Sequence, residues 1–123
     1  MGSPRRRGYL NHRTGEAAEQ RIARDYERRG FAIAGRRWRG PGGEIDLIAR
    51  NGRGVVFVEV KQSRDFDRAA ERIGRRQMDR ICASAQAFLA GEPDGQLTEM
   101  RFDVALVDAT GAFRIVENAF GLT

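Results

Sequence analysis

The sequence predicts an α/β domain, a mixed β-sheet flanked by helices, and three observations carry that prediction. Two strand-like runs, Glu44–Arg50 and Val55–Lys61, surround the strong hairpin signal Asn51-Gly52. Two stretches place apolar residues at helical spacing: Ala18, Ile22 and Tyr26, then Met78, Ile81, Cys82, Ala85 and Leu89. Arg101–Val107 alternates Phe102, Val104 and Leu106 against Asp103, Ala105 and Val107. The resulting order is helix, three strands, helix, two strands, with helices covering a sheet.

Each element has local grounds. Residues 1–13 are basic and patternless and read as a flexible arm, leaving 14–123 as a single domain. Thr14 can cap a helix that runs to about Arg29, where Gly30 ends it. Phe31–Trp38 reads as a strand, and Gly40-Pro41-Gly42-Gly43 as the tight turn into the hairpin. Gln62–Asp67 is a polar loop, and Arg68 to about Gly91 is helical with a break near Gly74. Gly91–Gly95 is a loop, and Phe113–Glu117 a last strand after an Asp-Ala-Thr-Gly turn.

Composition narrows the function classes. The formal net charge is +5, and residues 1–39 hold eleven arginines against four acidic residues. That asymmetry fits a polyanionic partner such as nucleic acid, or a solvated surface in an Arg-rich proteome. A single cysteine, Cys82, forms no internal disulfide and fits a reducing cytoplasm. The longest mainly apolar run, Val55–Val60, is too short to span a membrane. The single histidine, His12, lies in the basic arm, which disfavours a Ser-His triad or a His-rich zinc site.

The hairpin carries unusual cargo. Asp46, Glu59 and Lys61 sit in strands that otherwise look buried. A two-residue loop at Asn51-Gly52 puts Asp46 opposite Phe57, with Glu59 its diagonal neighbour. A four-residue loop, Asn51–Gly54, puts Asp46 opposite Glu59 itself. Either register sets the two carboxylates on one face, roughly 5–8 Å apart. Such a pair suits one divalent cation held through oxygen ligands. Of the 22 cationic residues, Lys61 alone is lysine, and its compact ammonium shares a face with Glu59. These residues suit metal-assisted hydrolysis, in which Lys61 orients a water or balances charge. The alternative is a buried Lys–carboxylate pair within the sheet. Glu19 lies on the apolar stripe of the first helix, with Glu16 at its flank. It needs a partner there, and the alternative to a site role is an arginine salt bridge. Arg36, Arg37 and Arg39 flank Trp38, a residue that either stacks a base or belongs to the core edge.

Asp46 followed by Glu59-Val60-Lys61 resembles the PD-(D/E)XK pattern of restriction-endonuclease-like nucleases, including archaeal Holliday-junction resolvases. More closely, the chain resembles the YraN family of bacterial proteins from Gly15 to Phe120. The segments carrying the likeness are GGEIDLIA (Gly42–Ala49), FVEVK (Phe57–Lys61), RFDV (Arg101–Val104) and NAF (Asn118–Phe120). The resemblance implies a restriction-endonuclease-like three-layer fold, with Mg²⁺ or Mn²⁺ on Asp46 and Glu59 and with Glu19 as the first-helix carboxylate that approaches the site. It implies a metal-dependent nuclease acting on DNA more than RNA, with branched or processed structures among its substrates. A non-catalytic nucleic-acid-binding module of the same fold is the alternative, and a homodimer is an admitted assembly. Candidate nucleic-acid contacts are Arg36, Arg37, Arg39, Arg64, Arg75 and Arg76. The chain departs from the family pattern at Arg64, one position late after the lysine, and at Gln77, where a lysine is usual. Ile45 stands where the superfamily has proline.

Overall fold

A computed structural model describes residues 4–62 and 75–119, with side chains from 15 to 62 and from 77 to 119. The elements are α1 (Pro4–Arg28), β1 (Ala32–Gly40), β2 (Gly43–Asn51), β3 (Gly54–Gln62), α2 (Arg75–Leu89), β4 (Met100–Val107) and β5 (Phe113–Val116). A short 3-10 turn, Gly95–Leu97, precedes β4. The expected order of elements holds. Helix α1 begins at Pro4, so Thr14 lies within it and does not cap it. The expected helical stretch before Arg75, the break near Gly74 and Arg64 lie outside the described residues.

The sheet runs β1-β2-β3-β4-β5 in sequence order. β3 and β4 are parallel and the other pairs antiparallel. A parallel pair cannot be joined by a tight turn, and α2 lies in the crossover between β3 and β4. The hairpin pairs Asn51 with Gly54 and Arg50 with Val55. This is the register of the four-residue reading, but the turn is tighter and centred on Gly52-Arg53. Gly52 has φ +61, and Arg53 is not among the residues with positive φ, the pattern of a type II′ hairpin, in which glycine takes the first central position.

Period-2 alternation divides the core between the two faces. Ala18, Ile22, Ala23 and Tyr26 of α1 pack on Leu47, Ala49, Val56, Val58, Ala105 and Val107. Ile81, Ala85 and Leu89 of α2 pack on Ile48, Val55, Phe57 and Phe102. Trp38 and Cys82 join this second face, with Trp38 edge-on to Phe88 at 5.5 Å. The core reading therefore holds for both. The architecture is helix, sheet, helix, an α/β arrangement consistent with the three-layer restriction-endonuclease-like fold.

On the α1 face a buried polar cluster tightens the far end of the helix. Asp103 is 1% exposed. Its carboxylate accepts the Tyr26 hydroxyl at 2.6 Å, Arg101 at 2.9 Å and 3.2 Å, and the Asn118 backbone N–H at 3.0 Å. Burial and the Asp103 hydrogen bond raise the Tyr26 pKa, keeping its hydroxyl a donor.

Candidate active site

Two strands part company at the candidate site. The β2–β3 ladder ends at Leu47↔Val58. One step further, Asp46 stands opposite Glu59, and the Val60 N–H donates to the Asp46 carboxylate at 2.8 Å. A side chain has taken the place of a ladder partner, which opens room between the strands. β2 meanwhile stays paired with β1 as far as Gly40↔Gly43.

Asp46 is also where β2 loses its alternation. Ile45 packs toward α2 and Leu47 toward α1, although residues two apart normally share a face. The β1 register places Arg36 opposite Leu47 and Trp38 opposite Ile45, so Arg37 lies opposite Asp46. Arg37 has φ +48, left-handed for a residue that is not glycine. That conformation costs roughly 1–2 kcal/mol, and such strain tends to persist where function needs it. Its effect is visible in β1: Arg36 and Arg37, though consecutive, both line a cavity of about 280 Å³ with Glu16, Glu19 and Gln20 of α1.

The carboxylates are electrostatically coupled. Glu59 is buried and stands opposite Asp46 in the continued β2–β3 register. Burial first, then the Asp46 hydrogen bond and charge, push the Glu59 carboxyl up to about 9, against the opposing pull of Lys61. Glu59 thus keeps its proton at neutral pH in the metal-free protein. Lys61 Nζ lies 3.9 Å from Glu59 Oε1. Glu19 approaches from α1, and its charge is felt at Glu59 as Asp46's is felt at Glu19. Its own partner is Arg37, whose Nε donates to Glu19 Oε2 at 2.9 Å, while Nη1 lies 3.6 Å from Glu16. Burial holds Glu19 above the usual carboxylate range despite that arginine. The arginine salt bridge weighed for Glu19 and the Lys–carboxylate pair weighed for Lys61 are therefore both present, inside one linked group of charges.

The turn before β2 is clamped to α2. Ser84, fully buried, accepts the Gly42 N–H at 3.0 Å and donates to the Gly43 carbonyl at 2.8 Å. A Cβ at Gly42 would lie 2.0 Å from the Arg80 carbonyl oxygen, so only glycine fits there. Between this turn and α2 lies a cavity of about 150 Å³, lined by Gly43, Glu44, Glu59, Gln77 and Arg80 among others.

The sequence reading thus finds Asp46, Glu59, Lys61 and Glu19 in one neighbourhood. Arg36 and Arg39 are exposed. Arg37, read as a nucleic-acid contact, has its guanidinium on Glu19 and Glu16. Arg75 and Arg76 open α2, but their side chains, like all of Arg64, lie outside the described residues. Sequence reasoning missed Ser84, Arg80 and Asp103. Gln77, Arg80 or Ile81, and Ser84 recur at helical spacing, a readable stripe. Asp103 shares a strand face with the apolar Ala105 and Val107, and an acid in that pattern signals a buried partner.

The described residues include no group of three or more His, Cys, Asp or Glu side chains arranged to hold a metal ion. The donor chemistry nonetheless fits a divalent cation at Asp46 and Glu59. Two facing carboxylates, Glu59 buried and Asp46 half-buried, offer hard oxygen ligands, and a cation can replace the proton held on Glu59.

The chain matches the model of the "Uncharacterised protein family UPF0102", the YraN family, over residues 18–107. It belongs to this family. Among similar family members, a UPF0102 protein of Ruegeria pomeroyi is 70% identical over 94% of this chain and 94% of its own length. A UPF0102 protein of Cereibacter sphaeroides is 58% identical over 92% of this chain and 97% of its own. One from Dinoroseobacter shibae is 48% identical over 85% and 78%. The UPF0102 match begins at Ala18 and ends at Val107, so it contains Glu19, Arg37, Asp46, Glu59, Lys61 and Ser84. No helix among the described residues is long and apolar enough to cross a membrane.

Proposed function

We propose that this UPF0102 member is a metal-dependent nuclease that hydrolyses phosphodiester bonds in DNA. The observation that carries the reading is the Asp46–Glu59 pair, two carboxylates set opposite each other where β2 and β3 separate, with Val60 N–H on Asp46 and Lys61 beside Glu59. Asp46 and Glu59 would hold Mg²⁺ or Mn²⁺. Bound there, the cation would polarise the phosphodiester and favour ionisation of a water.

The chain's own residues supply the rest. Val60 N–H fixes one oxygen of Asp46, so its carboxylate is aimed before any ligand arrives. Lys61 balances negative charge beside Glu59 and can donate to the attacking water or a phosphoryl oxygen. Exposed Arg36 and Arg39 are suited to phosphate contacts, which supply affinity without sequence preference. The site works in the cytoplasm, on structure-specific DNA such as branched or processed forms.

A non-catalytic nucleic-acid-binding module is the second reading, and one observation favours it. Glu19 is held by Arg37, and the described residues contain no three-carboxylate cluster. A cleavage assay on single-stranded, duplex, flap and four-way DNA, with Mg²⁺ and with Mn²⁺, separates the two. Cleavage that disappears in Asp46→Asn supports the nuclease. Binding without cleavage of any substrate favours the module.

A further inference from the structure

The Glu19–Arg37 contact is the strongest lead outside the metal pair. Three features meet there. Arg37 keeps a left-handed backbone at φ +48, and it sits opposite Asp46 in the β1–β2 register. Its guanidinium bonds the one carboxylate that α1 sends toward the Asp46–Glu59 pair. Arg36 and Arg37 line a cavity of about 280 Å³ beside Glu16 and Glu19, open to a ligand from outside. An arginine fork that matches a carboxylate matches a phosphate equally well.

We propose that Arg37 is a positioning residue operated by the substrate: it holds Glu19 apart from Asp46 and Glu59 until a DNA phosphate takes its guanidinium, and Glu19 then completes the cation site. The inference rests on the nuclease reading and adds a coupling to it. Phosphate and Glu19 compete for one guanidinium. Occupation by phosphate leaves the partly buried Glu19 without its Arg37 partner, and a cation on Asp46 and Glu59, carboxylates whose charge Glu19 already feels, would offer it a new one. DNA therefore tightens divalent-cation binding, and by linkage the cation tightens DNA binding by the same factor. The arrangement also suppresses cation loading without substrate, because the third carboxylate is engaged.

Calorimetric titration of the full chain with Ca²⁺, with and without a short DNA duplex, tests this. Wild type should bind Ca²⁺ about 5-fold or more tightly with DNA present, within the usual range of coupling. Arg37→Gln should bind Ca²⁺ tightly without DNA and gain nothing from it, whereas Arg37→Lys should restore part of the DNA effect. Removing a nearby positive charge would by itself favour a cation, so a double-mutant cycle with Glu19→Gln decides the cause. The tightening by Arg37→Gln should vanish in the Glu19→Gln background. Tightening that persists there, or a DNA effect unchanged in Arg37→Gln, overturns the inference. If Arg37→Gln does not fold, Glu19→Gln alone still decides, since it must lose the DNA effect. Asp46→Asn is the control: if it leaves Ca²⁺ binding intact, the nuclease reading itself fails, whereas loss there with no role for Arg37 overturns only the coupling.

Discussion

Arg37 and Asp46 lie opposite each other on β1 and β2, and each marks the point where its strand stops alternating. Arg37 does so with a left-handed φ of +48, Asp46 with neighbours that pack on opposite faces of the sheet. The paired irregularity turns a cation toward α1 and frees a carboxylate to cap Val60 N–H. A regular ladder would do neither. The site is thus built from a defect shared by two adjacent strands.

The proton on Glu59 makes stability depend on pH in the metal-free protein. Glu59 is raised to about 9 in the folded chain from 4.5. Its favourable contribution is complete below about 4.5 and is lost as pH rises through 9. Glu59→Gln removes that loss. Urea midpoints measured in a chelator from pH 5 to 9 should fall with pH in wild type more than in the variant. Parallel curves for the two proteins would contradict a protonated Glu59.

Ser84 and Gly42 should matter more than their size suggests. Ser84→Ala leaves the Gly42 N–H without its partner beside α2, at a cost of roughly 1–3 kcal/mol. Gly42→Ala forces a Cβ toward the Arg80 carbonyl, 2.0 Å away, so the turn or α2 must shift. Both variants should melt lower than wild type. Gly42→Ala should also weaken cation binding, because the shift propagates along β2 to Asp46. Unchanged melting and cation affinity in Gly42→Ala would show that the clamp does not set the site.

The Asp103 cluster should behave as structure. Tyr26→Phe deletes one buried hydrogen bond and should cost about 1 kcal/mol. Asp103→Ala strands the Tyr26 hydroxyl and the Asn118 N–H, roughly 1–3 kcal/mol for each group left unsatisfied. Melting should report both losses, while cation affinity at saturating fold stays at the wild-type value. A selective loss of cation or DNA binding would move Asp103 into the functional site.

Nucleic-acid binding should carry a counterion signature. Log K should fall linearly with log salt, and Arg36→Ala or Arg39→Ala should each reduce the slope by about one unit. Titrations across a salt series with labelled duplex read this directly. Affinity independent of salt would exclude phosphate contacts as its source.

Much of the fold and of the site is legible in the sequence. Period-2 and helical patterns locate both faces of the core, and the hairpin spacing brings Asp46 to Glu59. The rest depends on what sequence patterns assume. The hairpin turn falls one residue later than Asn51-Gly52, with Gly52 at the first central position of a type II′ turn. Regular alternation is the default for β1 and β2, so the break at Arg37 and Asp46 stays hidden, and with it the Arg37–Glu19 pairing. Ser84 falls on a readable helical stripe, but its role as a clamp does not show there. Its partners are backbone groups of a turn about forty residues earlier, and no side-chain pattern encodes them.

The most direct measurement compares cleavage and cation-dependent melting in wild type, Asp46→Asn and Lys61→Arg. Wild type should cut DNA with Mg²⁺ or Mn²⁺ and melt higher when the cation is present. Asp46→Asn should lose both, since a cation ligand is gone. Lys61→Arg keeps the charge but replaces a compact ammonium with a planar guanidinium, so it should lose most cleavage while keeping much of its DNA affinity. Wild type that neither cuts any DNA substrate nor shifts its melting with the cation, beside an Asp46→Asn that merely melts lower, would contradict the account.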